Sequence, residues 1–194
     1  MWRKEIIFGC LLGDASLQTY TNGKTWRIRF IQGEKNKEYL WHLYEMLKEY
    51  VSSPPKKIED KEKNIRWYFN STTKIPEFEE FGAAFYLKTK KRIPDDSYLE
   101  KYLTPRALCY WYMDDGSKKS NAEAGYLCTE SFELRDLKRV EGILKKRYDI
   151  SISFHKTGKN RKTEGYRIYI PVKEFKKFKL IIEPYIQENF RYKL

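Results

Sequence analysis

Two short segments of the chain have the pattern of an apolar helix whose last turn carries an aspartate. They cover positions 7–14 and 108–115, so the terminal aspartates, Asp14 and Asp115, lie 101 positions apart (115 − 14) in a chain of 194 residues. The C-terminal end of a helix already carries partial negative charge, so a carboxylate there is unfavourable unless a cation is near. Its occurrence in both segments predicts a cation where the two helix ends meet, and we favour a divalent metal.

The chain is strongly basic. It has 39 Lys and Arg against 27 Asp and Glu, a formal net charge of +12 and an isoelectric point near 9.4. This excess favours a polyanionic partner, because cations that neutralise phosphates release counterions and drive association. A basic protein without such a partner is the alternative on charge alone. We expect nucleic acid.

Cysteine content and hydropathy exclude several classes of protein. Cys10, Cys109 and Cys128 are too few and too scattered for a disulfide framework or a zinc knuckle, which favours a reducing compartment. No apolar run approaches the roughly 18 residues of a membrane span, and no signal-peptide pattern is present. The abundance of Lys, Ile and Tyr is typical of AT-rich genomes. We therefore expect a soluble organellar protein, mitochondrial or chloroplast, encoded in the organelle.

Each motif segment is followed by the same order of predicted elements. In the first half, alternation of apolar and polar residues predicts strands over 26–30 and 65–70, and helical periodicity predicts helices over 35–51 and 75–87. In the second half, strands are predicted over 126–129, 150–155 and 166–170, and helices over 134–148 and from 173 onward. Thr104 and Pro105 suit the N-cap and first position of the second motif helix.

The chain therefore reads as a tandem pseudo-repeat of the α+β class. The predicted halves are 1–95 and 96–194, each with the order αββαββα. We expect two four-stranded antiparallel sheets, each with helices on one face.

The opposite face of each predicted sheet is polar and basic. A solvated sheet face is the alternative explanation, but the excess of Arg, Tyr, Ser and Asn over acids favours a surface that reads a DNA groove. The residues assigned to this surface are Arg27, Arg29, Arg66, Tyr68, Asn70, Ser151, Ser153, His155, Arg167 and Tyr169. The loop over 156–162 adds Lys156, Lys159 and Arg161, which we expect to contact phosphates.

The two aspartates predict hydrolytic chemistry if the motif helices pack together. Gly9 and Gly13 lie four positions apart and would allow close helix approach. Paired carboxylates can bind Mg²⁺, which activates water and stabilises the leaving oxygen of a phosphodiester.

A lysine follows each aspartate at nearly the same spacing. Lys91 lies 77 positions after Asp14 (91 − 14), and Lys193 lies 78 after Asp115 (193 − 115). A lysine near each metal site could orient water or stabilise developing negative charge.

The motif segments identify a family. GCLLGDA at 9–15 and ALCYWYMDDG at 107–116 resemble the LAGLIDADG homing endonucleases, in the single-chain branch with two motif copies. The resemblance spans essentially the whole chain. It implies a saddle of two αββαββα halves that straddles double-stranded DNA as a monomer. It also implies cleavage of both strands with Mg²⁺, or Mn²⁺ in its place, at a long site, leaving short 3′ overhangs.

The resemblance also implies roles for individual residues. The metal-binding aspartates are Asp14 and Asp115, and the catalytic lysines are Lys91 and Lys193. Their expected neighbours at the metal or at the attacking water are Gly13, Ala15, Gln32, Asp114 and Thr129. Asp114, which immediately precedes Asp115, is expected to support the metal site without being the main ligand.

Two other functions are less consistent with the sequence. Some LAGLIDADG proteins are RNA maturases that bind their host intron, but both aspartates are intact here, which favours cleavage. The only histidines are His42 and His155, so an HNH or zinc nuclease site cannot be assembled. Asp136 and Lys138 have the spacing of a restriction-type site but fall on a predicted helix. We expect His155 to be a polar sheet residue rather than a general base.

Overall fold

The computed structural model describes residues 2–59, 61–158 and 165–194. Two of the predicted phosphate contacts, Lys159 and Arg161, lie outside the described residues.

The first motif segment forms helix α1, and a four-stranded antiparallel sheet follows it. The sheet has the order β1-β2-β4-β3. Its strands and helices are α1 (Trp2–Leu12), β1 (Ser16–Gln18), β2 (Arg27–Gly33), α2 (Lys37–Leu47), β3 (Lys56–Glu59), β4 (Ile65–Asn70) and α3 (Pro76–Phe85). Phe30 and Phe69 stack at 4.9 Å on the core side of this sheet, and Tyr44 of α2 packs on Phe69.

The rest of the chain repeats this arrangement after a short hairpin. The second four-stranded antiparallel sheet has the order β7-β8-β10-β9. The elements are β5 (Tyr86–Leu87), β6 (Lys90–Lys91), α4 (Asp96–Tyr102), α5 (Pro105–Asp115), β7 (Gly116–Lys118), β8 (Gly125–Leu127), α6 (Leu134–Tyr148), β9 (Ser153–Lys156), β10 (Tyr166–Ile170) and α7 (Val172–Ile182), then short 3₁₀ segments at Glu183–Tyr185 and Glu188–Lys193. The predicted α+β class with two four-stranded antiparallel sheets is confirmed.

Some element bounds differ from the predictions. The strand predicted from position 150 begins at Ser153, because Asp149 ends α6 in the left-handed region and the N–H of Ser151 is bound by Glu174. The helix predicted over 35–51 is shorter, since 3₁₀ turns flank α2. Helix α4 and the short strands β1, β3, β5, β6 and β7 were not predicted.

Contacts group the chain into two compact units. One contains Asp14–Ala83 with the start of α1 through Lys4, and the other contains Glu5–Gly13 with Ala84–Leu194. Most of α1 thus packs in the same unit as α5. The predicted boundary between the two halves of the repeat, after residue 95, stays a prediction.

Helices α1 and α5 approach each other closely at two glycines of the first motif segment. A Cβ placed on Gly9 would lie 2.3 Å from the main-chain oxygen of Ala107, and one on Gly13 would lie 2.5 Å from Cβ of Asp114. Around this contact, Phe8 packs on Phe85 with ring centroids 5.2 Å apart. Of the helices within the described ranges, none has the length and apolarity to cross a bilayer.

Replacing Gly9 should destabilise the protein. The clash of the new methyl group in Gly9→Ala is with backbone, which cannot rotate away, so we expect a loss of about 1–3 kcal/mol in the free energy of unfolding. The matched control is Gly142→Ala on α6, where nothing lies within 4 Å of the added Cβ. That change should stabilise by roughly 0.5–1 kcal/mol through helix propensity.

Urea or thermal unfolding of the two variants provides the measurement. A Gly9→Ala variant as stable as the parent chain would show that the helix pair does not depend on this approach.

Candidate active site and nucleic-acid interface

Asp14 lies two residues after the end of α1, and it is exposed. Gln32, near the end of β2, donates from Nε2 to Oδ2 of Asp14 at 3.0 Å. Asn36 in turn donates to Oε1 of Gln32 at 3.2 Å, which fixes the orientation of the amide. A cavity of about 210 Å³ lies beside these groups, between Asp14, Ile31, Gln32, Gly33 and Arg66. The structure therefore brings the predicted Gln32 to the predicted metal ligand.

Lys91 reaches the end of α1. Its Nζ donates to the main-chain oxygen of Gly13 at 2.8 Å. Lys91 stands on β6, where it pairs with Tyr86 of β5. The carbonyls of a helix's last turn lack partners within the helix, and a lysine ammonium is a favourable one. The ammonium is thereby held at the residue that precedes Asp14.

The second motif helix has a corresponding lysine. Asp115 is the last residue of α5, is half-buried, and its main-chain oxygen accepts from the N–H of Cys128 at 3.0 Å. Lys193 donates from Nζ to the main-chain oxygen of Met113 at 2.6 Å. Both predicted lysines thus bind the C-terminal carbonyls of motif helices, within two residues of an aspartate.

Gln32 and Thr129 occupy equivalent places in the two sheets but use their side chains differently. Ser16 lies two positions after Asp14 and pairs with Arg29; Gln32 lies three positions after Arg29. In the second half, Ser117 lies two positions after Asp115 and pairs with Tyr126; Thr129 lies three positions after Tyr126. Thr129 is fully buried; its hydroxyl donates to the main-chain oxygen of Tyr166 at 2.7 Å and accepts from the N–H of Ile168 at 3.2 Å. The hydroxyl of Thr129 thus holds β10, and its predicted place at the metal stays a prediction.

The other predicted neighbours of the metal, Gly13, Asp114 and Ala15, make packing contacts in this structure. Gly13 lies against the side chain of Asp114, with the position of a Cβ only 2.7 Å from Oδ2 of that residue. Ala15 is buried in the core, so any ligand from it would be its main-chain oxygen.

No protein-only metal cluster is present among residues 2–59, 61–158 and 165–194, judged by groups of three or more His, Cys, Asp and Glu. Mg²⁺ usually takes one or two carboxylates together with waters and substrate phosphates. Single carboxylates such as Asp14 and Asp115 suit that pattern of coordination.

The exposed face of the first sheet carries its arginines in register with polar residues. Arg29 pairs with Asn70, and Gly33 pairs with Arg66. The guanidinium of Arg29 lies 4.7 Å from the ring centre of Tyr68. These side chains are partly or fully exposed, whereas Ile28 and Phe30 between them on β2 are buried. The predicted division of this sheet into a core face and a polar face is therefore correct.

The exposed face of the second sheet is more aromatic. His155 stacks on Tyr169 with ring centroids 4.5 Å apart, and Tyr126 packs on both rings. Arg167 pairs with His155 in the sheet, and its guanidinium donates to Glu130, which neutralises part of its charge. The two sheets thus present different chemistry on corresponding faces.

The remaining predicted contacts surround β9. Ser153, His155 and Lys156 lie on this strand, and Ser153 is exposed. Ser151 precedes the strand and is exposed as well, with its N–H bound to Glu174.

Sequence reasoning missed two side chains close to the predicted site. Tyr112 donates from its hydroxyl to the main-chain oxygen of Lys193, and Lys118 donates to that of Leu194. A tyrosine inside an otherwise apolar motif helix was the available signal, since a buried hydroxyl needs a partner.

Known proteins are similar in sequence along nearly the full chain. DNA endonuclease I-ChuI of Chlamydomonas applanata is 36% identical over 99% of this chain and 94% of its own length. Cytochrome b mRNA maturase bI2 of Debaryomyces hansenii is 32% identical over 98% of this chain and 72% of its own.

Solved structures show the same architecture. The homing endonuclease I-WcaI bound to its DNA recognition sequence matches with a TM-score of 0.86 and 28% identity, covering 100% of this chain and 85% of that one. I-DmoI in complex with DNA and Mn shares the fold, with a TM-score of 0.58 and 15% identity over 93% of this chain and 96% of that one.

The model of the LAGLIDADG DNA endonuclease family matches residues 4–178, which include both motif helices and both sheets. The chain belongs to this family.

Proposed function

We propose that this chain is a site-specific endonuclease that cuts both strands of double-stranded DNA at a long recognition sequence, with Mg²⁺ or Mn²⁺ as cofactor. The observation that carries the proposal is the repeated pairing of a lysine ammonium with a helix end that bears an aspartate. Lys91 binds beside Asp14, and Lys193 binds beside Asp115. The family and the DNA endonuclease relative support the same conclusion.

The aspartates fit a hard divalent cation. Asp14 presents an exposed carboxylate that Gln32 orients, and carboxylate oxygens are ligands that Mg²⁺ and Mn²⁺ prefer. The chemistry that such an ion supplies is activation of water and stabilisation of charge on the leaving oxygen. The presence of Mn in the related I-DmoI complex supports a divalent ion here.

The lysines place fixed positive charge next to the carboxylates. An ammonium held by a main-chain oxygen keeps its position before substrate arrives, so little reorganisation is needed when negative charge develops on the phosphate. Gln32 holds one carboxylate in a defined rotamer by the same principle. The protein residues thus orient the acidic ligands and stabilise the charge of the cleaved phosphodiester.

The sheets supply recognition. Arginine, asparagine and serine side chains can bind base edges in the major groove, whereas lysines such as Lys156 suit phosphates. The two halves present different faces, so we expect the two halves of the target to differ in sequence.

Three finer properties belong to the proposal. The protein acts as a monomer, because one chain carries both motif copies. It leaves short 3′ overhangs, and it acts in an organelle, which the similarity to a cytochrome b mRNA maturase supports.

Cleavage of a randomised pool of double-stranded DNA with Mg²⁺, followed by sequencing of the cut ends, tests the proposal. Recurrent cuts at one long sequence with 3′ overhangs are expected. Absence of Mg²⁺-dependent cuts in a pool that contains the native target, once its host gene is known, would reject it.

Binding of intron RNA is a second candidate function. It is favoured by the Debaryomyces maturase, which is 32% identical to this chain over 98% of the chain's length. Splicing assays with the host intron separate the two activities, since a maturase role would survive loss of the cleavage aspartates.

Loss of either carboxylate charge should remove cleavage. Asp14→Asn and Asp115→Asn keep side-chain size, so we expect DNA affinity to persist while the cleavage rate falls by on the order of a hundredfold or more. Asp149→Asn is the control, because Asp149 is exposed and bound to Lys145 and Lys177 at the end of α6. Single-turnover rates and gel-shift affinities provide the measurements. A wild-type rate in either site variant would show that the metal ligand was misassigned.

Removing the helix-end lysines should slow cleavage without weakening DNA binding. We expect Lys91→Met and Lys193→Met each to lower the single-turnover rate by about tenfold or more, since each removes charge stabilisation at the phosphate. Lys90→Met is the matched control on the same hairpin; Lys90 is exposed and pairs with Glu133. Equal rates in Lys90→Met and Lys91→Met would remove Lys91 from the site.

The first sheet should contribute to affinity through Arg29. Loss of a base-edge contact in Arg29→Ala is expected to weaken target binding by about 1–3 kcal/mol, with a smaller effect on unrelated DNA. Lys176→Ala on α7 removes the same charge from a helix surface and should leave target binding nearly unchanged. Equal dissociation constants for the two variants would contradict recognition by this sheet face.

A further inference from the structure

The 3₁₀ segment Glu188–Lys193 is fastened to α5 and to strand β7. The hydroxyl of Tyr112 donates to the main-chain oxygen of Lys193 at 2.7 Å, and Nζ of Lys118 donates to that of Leu194 at 2.9 Å. Just before the segment, the N–H of Gln187 lies 3.4 Å from the sulfur of Met113. Its Phe190 ring is buried, so the segment is held by both polar and apolar contacts.

Lys193 is held at both of its ends by adjacent residues of α5. Its main-chain oxygen accepts from Tyr112, and its Nζ donates to the main-chain oxygen of Met113 at 2.6 Å. A lysine side chain has several rotatable bonds and loses considerable entropy when it is ordered. Fixing its main chain therefore restricts where the ammonium can lie.

The Tyr112 hydroxyl is itself directed by packing. The ring is fully buried, with the rings of Phe175 and Phe178 at 6.1 and 5.3 Å. A Cβ on Gly116 would lie only 2.2 Å from the Tyr112 ring, so the ring has no room to turn on that side. Burial also raises the pKa of Tyr112, which keeps the hydroxyl protonated as a donor.

The main chain of the lysine in the first half is held by strand pairing instead. Lys91 stands on a strand, β6, whose pairing with β5 fixes its main chain. Lys193 lies on a 3₁₀ segment, outside the strands of the described sheets. A side-chain hydrogen bond from the motif helix supplies the equivalent constraint.

We propose that Tyr112 is a positioning residue for Lys193, so that its hydroxyl sets the place of the Lys193 ammonium and affects DNA cleavage only through that lysine. The proposal rests on the proposed function for its effect on cleavage, but its geometric part can be measured separately. In this role Tyr112 contacts neither DNA nor metal.

The variant Tyr112→Phe removes the hydroxyl and keeps the ring. We expect the single-turnover cleavage rate with Mg²⁺ to fall by about tenfold while the DNA dissociation constant stays unchanged, because a misplaced charge stabiliser affects the transition state. Tyr148→Phe is the matched control, since its hydroxyl also donates to a main-chain oxygen, that of Leu103 at 2.9 Å. It should cleave within about twofold of the parent rate.

A double-mutant cycle separates positioning from a general structural role. If Tyr112 acts only through Lys193, Tyr112→Phe should have no further effect on the cleavage rate of Lys193→Met. Multiplied effects in the double variant, or a parent-like rate in Tyr112→Phe when Lys193→Met is slow, would overturn the proposal.

Chemical labelling tests the geometry without cleavage. Trace acetylation of amines followed by peptide mass spectrometry should show Lys193 labelled about threefold or more faster in Tyr112→Phe and unchanged in Tyr148→Phe, because the released segment opens more often. Unchanged labelling in Tyr112→Phe would overturn the proposal. A parent chain that fails to cut DNA would instead reject the proposed function and leave the labelling result standing. A Lys193→Met variant that cuts normally would remove Lys193 from the site and overturn the effect of Tyr112 on cleavage.

Discussion

The contact of α1 with α5 through main-chain atoms is the constraint on which the candidate site depends. Gly9 faces the main-chain oxygen of Ala107, and Gly13 faces the side chain of Asp114. Because glycine leaves no side chain at these points, α1 and the residue that follows it lie in contact with α5. The apolar character of both segments follows from the burial that this packing requires.

The lysines resolve the electrostatic conflict that the motif creates. A carboxylate at a helix C-terminus adds negative charge where the peptide dipoles already place some, which is unfavourable without a compensating cation. Lys91 and Lys193 provide that cation from positions far along the chain by binding the carbonyls of Gly13 and Met113. The same two ammonium groups therefore stabilise the helix ends and are the ones that we propose act at the phosphate.

The sequence predicted those parts of the fold whose periodicity extends over enough residues. Helix α6 and strand β4 have their predicted bounds, whereas three-residue strands such as β1 and β7 are defined by their partners rather than by their own pattern. The family resemblance, rather than any periodicity, pointed to Gln32 as a neighbour of Asp14, to which its amide donates. The part played by Tyr112 could not be predicted, because its partner is a main-chain oxygen 81 positions away and no residue type marks such an acceptor.

Helix α1 has a further consequence because it packs with the second unit although the chain runs from it directly into the first sheet. Residues 96–194 grafted onto another scaffold would lack the surface that covers Ala107, and water would reach the first turn of α5. Residues 14–95 would in turn begin at an aspartate without its helix. A chimera of two relatives joined after residue 95 would therefore combine an α1 from one parent with an α5 from the other, so the two helices should be exchanged together.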